Sequence, residues 1–178
     1  QFNWAYKLMQ RTLLIYSSID GHTEAICKKI AQHLGKDEID ILPLSADIEL
    51  SKYKSIIIGA SIRYGKYRED VFDFIESNLE LLNSKENAFF SVNAVARKPN
   101  KNRPENNPYL IKFLEQTNWV PKKMAVFAGK IDYPKYKFFD KYAIKFIMFV
   151  TNGPTDTSQT YEFTDWDEVK IFSKDLNL

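Results

Sequence analysis

Hydroxyls, a glycine and a histidine crowd the stretch Ser17-Ser18-Ile19-Asp20-Gly21-His22-Thr23, directly behind the apolar run Leu13-Leu14-Ile15-Tyr16. A short buried-strand pattern breaks there into small polar residues and then opens a helical pattern at Glu24-Ala25-Ile26. Such a turn sets backbone N–H groups and hydroxyls around a phosphate at a helix N-terminus. The same letters also fit an ordinary helix start, with Asp20 as N-cap and Gly21, His22 and Thr23 in the first turn. An inward Asp20 carboxylate would repel a phosphate, so its side chain is expected to turn back and cap the helix.

Two further segments have the composition of ligand loops. In Gly59-Ala60-Ser61-Ile62-Arg63-Tyr64-Gly65, small residues and glycines let the backbone approach a flat ligand, and Tyr64 offers a ring face or edge. Asn93-Ala94-Val95-Ala96-Arg97 is similarly small. Plain surface loops would carry the same letters. A basic, proline-punctuated run follows, from Arg97-Lys98-Pro99 to Arg103-Pro104. Asn152-Gly153-Pro154-Thr155-Asp156-Thr157 is another turn with hydroxyls, able to return to a ligand edge or simply to the sheet.

Several chemistries are excluded. No G-x-G-x-x-G and no G-x-x-x-x-G-K-[ST] occurs, which disfavours dinucleotide dehydrogenases and P-loop NTPases. His22 and His33 make no catalytic pair with Cys27 or a serine, and no carboxylate pair or metal-ligand spacing stands out. Cys27 is the single cysteine, so there is no intramolecular disulfide and no cysteine-built metal site. Beside Ile26 and Ile30 it reads as a small core residue, and a reducing, cytoplasmic location is expected.

These loops need strands and helices to hold them. Apolar runs predict strands at Leu13–Tyr16, Ile39–Leu42, Ser55–Ile58, Ala88–Val92 and Met124–Ala128, and three of the last four are nearly continuous, as in parallel strands covered on both faces. Helical periodicity falls between them, over Thr23–Leu34, Glu69–Leu82, Pro108–Thr117 and Thr164–Leu176. The alternation predicts an α/β fold, a doubly wound five-stranded parallel sheet with helices on both faces. Gly21, Gly59, Gly65 and Gly129 then fall at or just after strand ends, on one sheet edge, where such folds bind ligands. Gly35 reads as a helix C-terminus.

After the fifth strand, residues 130–150 form an insertion with a helical stretch from Lys137. At 100° per residue Lys137, Lys141 and Lys145 form one stripe beside a broad face of Phe138, Phe139, Tyr142, Phe146, Phe149 and Val150. A basic amphipathic helix of this kind suits a membrane surface, and a helix packed on a sheet would also show an apolar face.

The chain of 178 residues is long enough for one domain with a sizeable core, and 44% hydrophobic with 27% charged residues is a globular balance. Residues 1–8 precede Met9 and read as an extension added upstream of the natural start, leaving 9–178 as a single domain. The net charge of +2 is no nucleic-acid signature and is also far from strongly acidic.

The strings Gly-Ala-Ser-Ile-Arg-Tyr-Gly (59–65), Ser-Val-Asn-Ala-Val-Ala-Arg-Lys-Pro (91–99) and Thr164-Asp165-Trp166 resemble one family of flavodoxin-like proteins. It is the bacterial quinone-dependent protoporphyrinogen IX dehydrogenase family of haem biosynthesis, and the similarity runs from roughly residue 10 to the end. The resemblance implies a flavodoxin-like fold, a non-covalent FMN, and oxidation of protoporphyrinogen IX with electrons passed to a membrane quinone, menaquinone or ubiquinone. It also implies a protein peripheral on the cytoplasmic face of the bacterial inner membrane. Ser17 to Thr23 would take the ribityl phosphate, and Ala60 to Gly65 with Asn93, Ala94, Val95 and Ala96 would flank the isoalloxazine. Phe89, Asp156 and Thr157 are counted with the cofactor contacts. Arg97 and Lys98 would pair with the substrate propionates, and Lys137, Lys141 and Lys145 would meet the membrane and its quinone. The flavin carries the redox step, so no catalytic acid or base is named. The alternatives are a flavodoxin-type electron carrier, which the mild positive charge opposes, an NAD(P)H:quinone reductase of the same fold, or a flavin-free interaction module.

Overall fold

The computed structural model describes residues 11–35 and 38–178, so the expected extension at 1–8 lies outside the described residues. Five parallel strands, β1 (Thr12–Ser17), β2 (Ile39–Pro43), β3 (Ser55–Ser61), β4 (Glu86–Val92) and β5 (Lys123–Phe127), pair in the order β2-β1-β3-β4-β5. The order reverses at β1, and there the first strand-to-helix turn opens beside the loop after β3.

Period-two alternation along the strands divides the core between the two faces. Leu13, Ile15, Ile56, Ile58, Phe89 and Val126 face α2 (Glu69–Ser77), α3 (Leu79–Ser84) and α4 (Pro108–Gln116). Leu14, Ile57, Ala88, Phe90, Ala125 and Phe127 face α1 (His22–Leu34) and α6 (Trp166–Asp175), which lie side by side. Cys27 is buried in this second layer, and burial pushes its thiol up, so it is an unreactive core residue.

The five expected strands and the helices between them are present, with three differences. The helix expected over 69–82 breaks at Asn78, whose side-chain amide donates to the Phe74 carbonyl at 2.8 Å and competes with the helix's own ladder. The last helix starts at Trp166 rather than Thr164, because the Asp165 carboxylate accepts from the Asp167 and Glu168 amides and is the true N-cap. A small antiparallel pair, β6 (Lys130–Asp132) with β7 (Thr160–Glu162), frames the insertion and brackets α5 (Phe138–Val150). Ile131, Tyr133, Ile144 and Met148 form a third apolar cluster beneath α5.

Candidate functional site

The carboxyl edge of the sheet carries the loops after β1, β3 and β4, and they enclose one cavity with α5. At the first loop, α1 begins without a side-chain cap. Its N-cap is Gly21, in the left-handed region at φ 81°, and the first helical bond runs from Ala25 N–H to the Gly21 carbonyl at 3.2 Å. The amides of the first turn therefore lack helical partners and present a positive dipole end. Thr23, only 1% exposed, has a buried hydroxyl with no hydrogen-bond partner, and it lines the cavity. An unpaired buried hydroxyl costs about 1–3 kcal/mol. An uncapped helix start and an orphaned hydroxyl together fit a phosphoryl group.

Asp20 does not cap α1. Its carboxylate pairs instead with the Arg63 guanidinium, tying the first loop to the second and drawing the negative charge away from the helix start. Arg63 also lies 5.4 Å above the Tyr136 ring. Burial, reinforced by the Asp20 charge, pushes the Tyr136 phenol up to about 12, so it stays protonated. His22 lines the same cavity. Its Nε2 lies 2.6 Å from the Thr164 hydroxyl, which donates to the Ala128 carbonyl, so Nε2 is the donor in this network. Burial pushes His22 below its usual range, and the neutral ring stands edge-on to Trp166.

The second loop is a tight hairpin turn. Arg63 and Lys66 pair across it, with Tyr64 and Gly65 both at positive φ, 52° and 78°. A tyrosine in the left-handed region is strained, and it is anchored: its hydroxyl donates to Asp140 on α5. In the third loop, Asn93 accepts from the Ala96 amide at 3.2 Å and exchanges side-chain bonds with Asn107, 3.0 and 3.2 Å. Asn107 is also the N-cap of α4, so this amide pair fixes the loop to a helix start. α5 roofs the cavity with Ile144, Ile147 and Met148. The enclosed volume is about 150 Å³, below the roughly 300–1,000 Å³ of an open small-molecule pocket. Arg63, Tyr64 and Tyr136 are among the polar side chains that line it.

Of the expected cofactor residues, Ser18, Ile19, Asp20, His22, Thr23, Ser61 to Gly65, Asn93, Ala94 and Val95 line this cavity. Gly21 borders an adjoining cleft, which shares Asp20, His22, Lys130 and Tyr136 with the cavity. Ser17, Ala60 and Ala96 are buried just behind it. Phe89 does not line the cavity: it is fully buried in the layer beneath α2–α4, stacked on Phe113 at 4.1 Å. Asp156 and Thr157 also stand apart, the Asp156 carboxylate accepting from Ser158. Arg97 does not face the cavity; its guanidinium donates to the Ala94 carbonyl at 2.7 Å and the Thr151 carbonyl at 2.9 Å. It fastens the third loop to the carboxyl end of α5, where a cation is favoured. Lys98 does not line the cavity either. Gly59, inside β3, makes room for the Phe90 ring rather than for a ligand. Tyr109, Lys130, Ile144 and Met148 line the cavity without having been expected there; apolar spacing on α5 was the signal for Ile144 and Met148, and nothing in the sequence marked Tyr109 or Lys130.

α5 turns Ile144 and Met148 inward and leaves Phe138, Phe139, Phe146 and Phe149 exposed by 69%, 84%, 67% and 71%. Lys137, Lys141 and Lys145 flank this outward apolar face. Among the described residues no helix is long and apolar enough to cross a membrane, and no cluster could hold a metal ion.

A parallel sheet of order 2-1-3-4-5 with its crevice built on the first βα turn defines a flavodoxin-like α/β protein. Solved structures agree: an archaeal flavodoxin superposes with TM-score 0.51 at 14% identity, over 94% of this chain and 96% of that one. Flavodoxin 1 from Bacillus cereus gives 0.50 at 17% identity, over 94% and 97%. The flavodoxin domain family matches residues 13–158. Protoporphyrinogen IX dehydrogenase (quinone) of Escherichia coli K12 is 38% identical over 175 residues, 93% of this chain and 94% of that protein. The protein of the same name from Leishmania major is 40% identical over 172 residues, 93% of this chain and 74% of its own. The chain thus belongs to the flavodoxin domain family and, within it, to the family of the quinone-type protoporphyrinogen IX dehydrogenases.

Proposed function

We propose that this chain is an FMN-dependent oxidoreductase that converts protoporphyrinogen IX to protoporphyrin IX and passes the electrons to a membrane quinone. The near end-to-end match to the Escherichia coli enzyme of that name carries this reading. The uncapped start of α1 and the Thr23 hydroxyl would hold the FMN phosphate, without a lysine or arginine. Ile62, Tyr64, Ala94 and Val95 would flank the ring system.

Bound FMN supplies two-electron redox chemistry. Each turn removes two electrons and two protons from the porphyrinogen, and one quinone takes up the same to leave as quinol. The chain's part is position and shielding. Ile144, Ile147 and Met148 give the cavity an apolar roof that limits water, and the Asn93–Asn107 pair holds the third loop in place. The outward aromatic face of α5 with its flanking lysines is the surface that meets the lipid carrying the quinone, and the protein acts at the cytoplasmic face of the inner membrane.

The test is anaerobic mixing of the FMN-loaded protein with protoporphyrinogen IX, followed by a menaquinone analogue. Flavin absorbance should bleach as porphyrin fluorescence appears, and it should return with the quinone. Bleaching by NADPH alone, with none by porphyrinogen, would overturn the assignment in favour of a nicotinamide-dependent quinone reductase.

A further inference from the structure

A second groove opens off the flavin cavity. The two share Ile62, Gly65 and Tyr109, so they are continuous along one wall. The groove holds about 450 Å³, three times the cavity it adjoins, and runs between the first turn of α2 and the length of α4. Its floor is aromatic: Tyr67 is 5% exposed with its hydroxyl on Ser91 at 2.6 Å, and Phe72 lies against it edge-on at 6.3 Å. Lys66 comes from the tight turn after β3 and Lys112 from the face of α4 that also carries Tyr109 and Gln116. Both ammonium groups are exposed, and neither has an ion-pair partner among the described residues, although Glu69 also lines the groove.

We infer that this groove is the seat of the tetrapyrrole, with Lys66 and Lys112 taking its two propionate carboxylates. This rests on the porphyrinogen reading above and deepens it. A porphyrinogen is a large apolar macrocycle with two carboxylates on one edge, and it must bring its reacting carbons to the flavin. The groove supplies an aromatic floor, two unpaired cations and an opening into the flavin cavity. Arg97, which the family resemblance puts in this role together with Lys98, is held by two backbone carbonyls and lines neither the cavity nor the groove. Ile144, Ile147 and Met148 of α5 line the flavin cavity and none of them lines the groove.

The experiment compares wild type with Lys66→Gln, Lys112→Gln and the double variant, each loaded with FMN. Both residues are exposed, so folding and flavin content should be unchanged. The KM for protoporphyrinogen IX should rise about two- to fivefold for each single variant, with the factors multiplying in the double, as for exposed charge pairs at independent sites. The kcat and the KM for the quinone analogue should stay put. Protoporphyrinogen dimethyl ester, which lacks the charges, should be handled equally by all four proteins. An unchanged KM in the double variant overturns the inference while leaving the oxidase reading intact. Failure of wild type to oxidise the porphyrinogen at all would overturn both.

Discussion

The Thr23 hydroxyl separates a phosphate seat from an ordinary helix start. A capping or merely structural threonine would have a partner, and this one is buried without any. Thr23→Val keeps the shape and removes the orphan. Stability of the FMN-free protein should therefore hold or rise, because the unpaired group costs about 1–3 kcal/mol. FMN affinity should fall about tenfold or more, since a hydrogen bond to a charged group is worth roughly 1.5–3 kcal/mol. Thermal melting of the free protein and titration with FMN read the two effects separately. Equal loss in both would make Thr23 a packing residue. Asp20 shows what single letters conceal. Its type predicts a cap, yet Arg63, far along the chain, captures the carboxylate, and no local rule carries that information.

Among the elements, β3 holds the most demanding close approach. A Cβ at Gly59 would lie 2.1 Å from the Phe90 ring, its neighbour in the β3–β4 register. That ring is fully buried, 5.6 Å from Phe127 and 6.3 Å from Phe172, and has nowhere to go. Gly59→Ala should cost about 1–3 kcal/mol and lower Tm by several degrees, roughly 2–4 °C per kcal/mol at this size. Adding Phe90→Leu should recover part of the loss, measured as a non-additive double-mutant cycle; strict additivity would refute the clash. The five parallel strands and the helices α1, α4 and α6 were legible in the sequence because each buries an apolar run or a periodic face, whereas the break at Asn78 was not. β6 and β7 were not, since three-residue strands carry no periodicity. The partners of Arg97 were also hidden: they are main-chain carbonyls at Ala94 and Thr151, which residue identity does not mark. The convergence of the loops after β1, β3 and β4 on one cavity was legible because topology brings every carboxyl end of a parallel sheet to one edge.

For the molecule as a whole, α5 is the element that a flavin cavity alone does not explain. Its inner face is satisfied by Ile144 and Met148, and its ends are fastened by Tyr64 to Asp140 and by Arg97 to Thr151. The helix is thus held in place with an aromatic face outward, a costly arrangement in water: a large apolar side chain gains about 1.5–3 kcal/mol on full burial. Several such rings beside three lysines fit the interface of an anionic bilayer, where each lysine adds about 1 kcal/mol. Wild type should co-sediment with vesicles containing anionic phospholipid. Changing Lys137, Lys141 and Lys145 together to Glu should cut that binding by more than about tenfold and matter little on neutral vesicles. Phe139→Ser with Phe146→Ser should weaken binding to both kinds, with Tm held because the two rings are exposed. With water-soluble quinone analogues all these variants should turn over like wild type, whereas with quinone confined to the vesicles their rates should fall in step with binding. Unaltered sedimentation in the lysine and phenylalanine variants would remove the lipid role from α5 and leave its aromatic face to another partner.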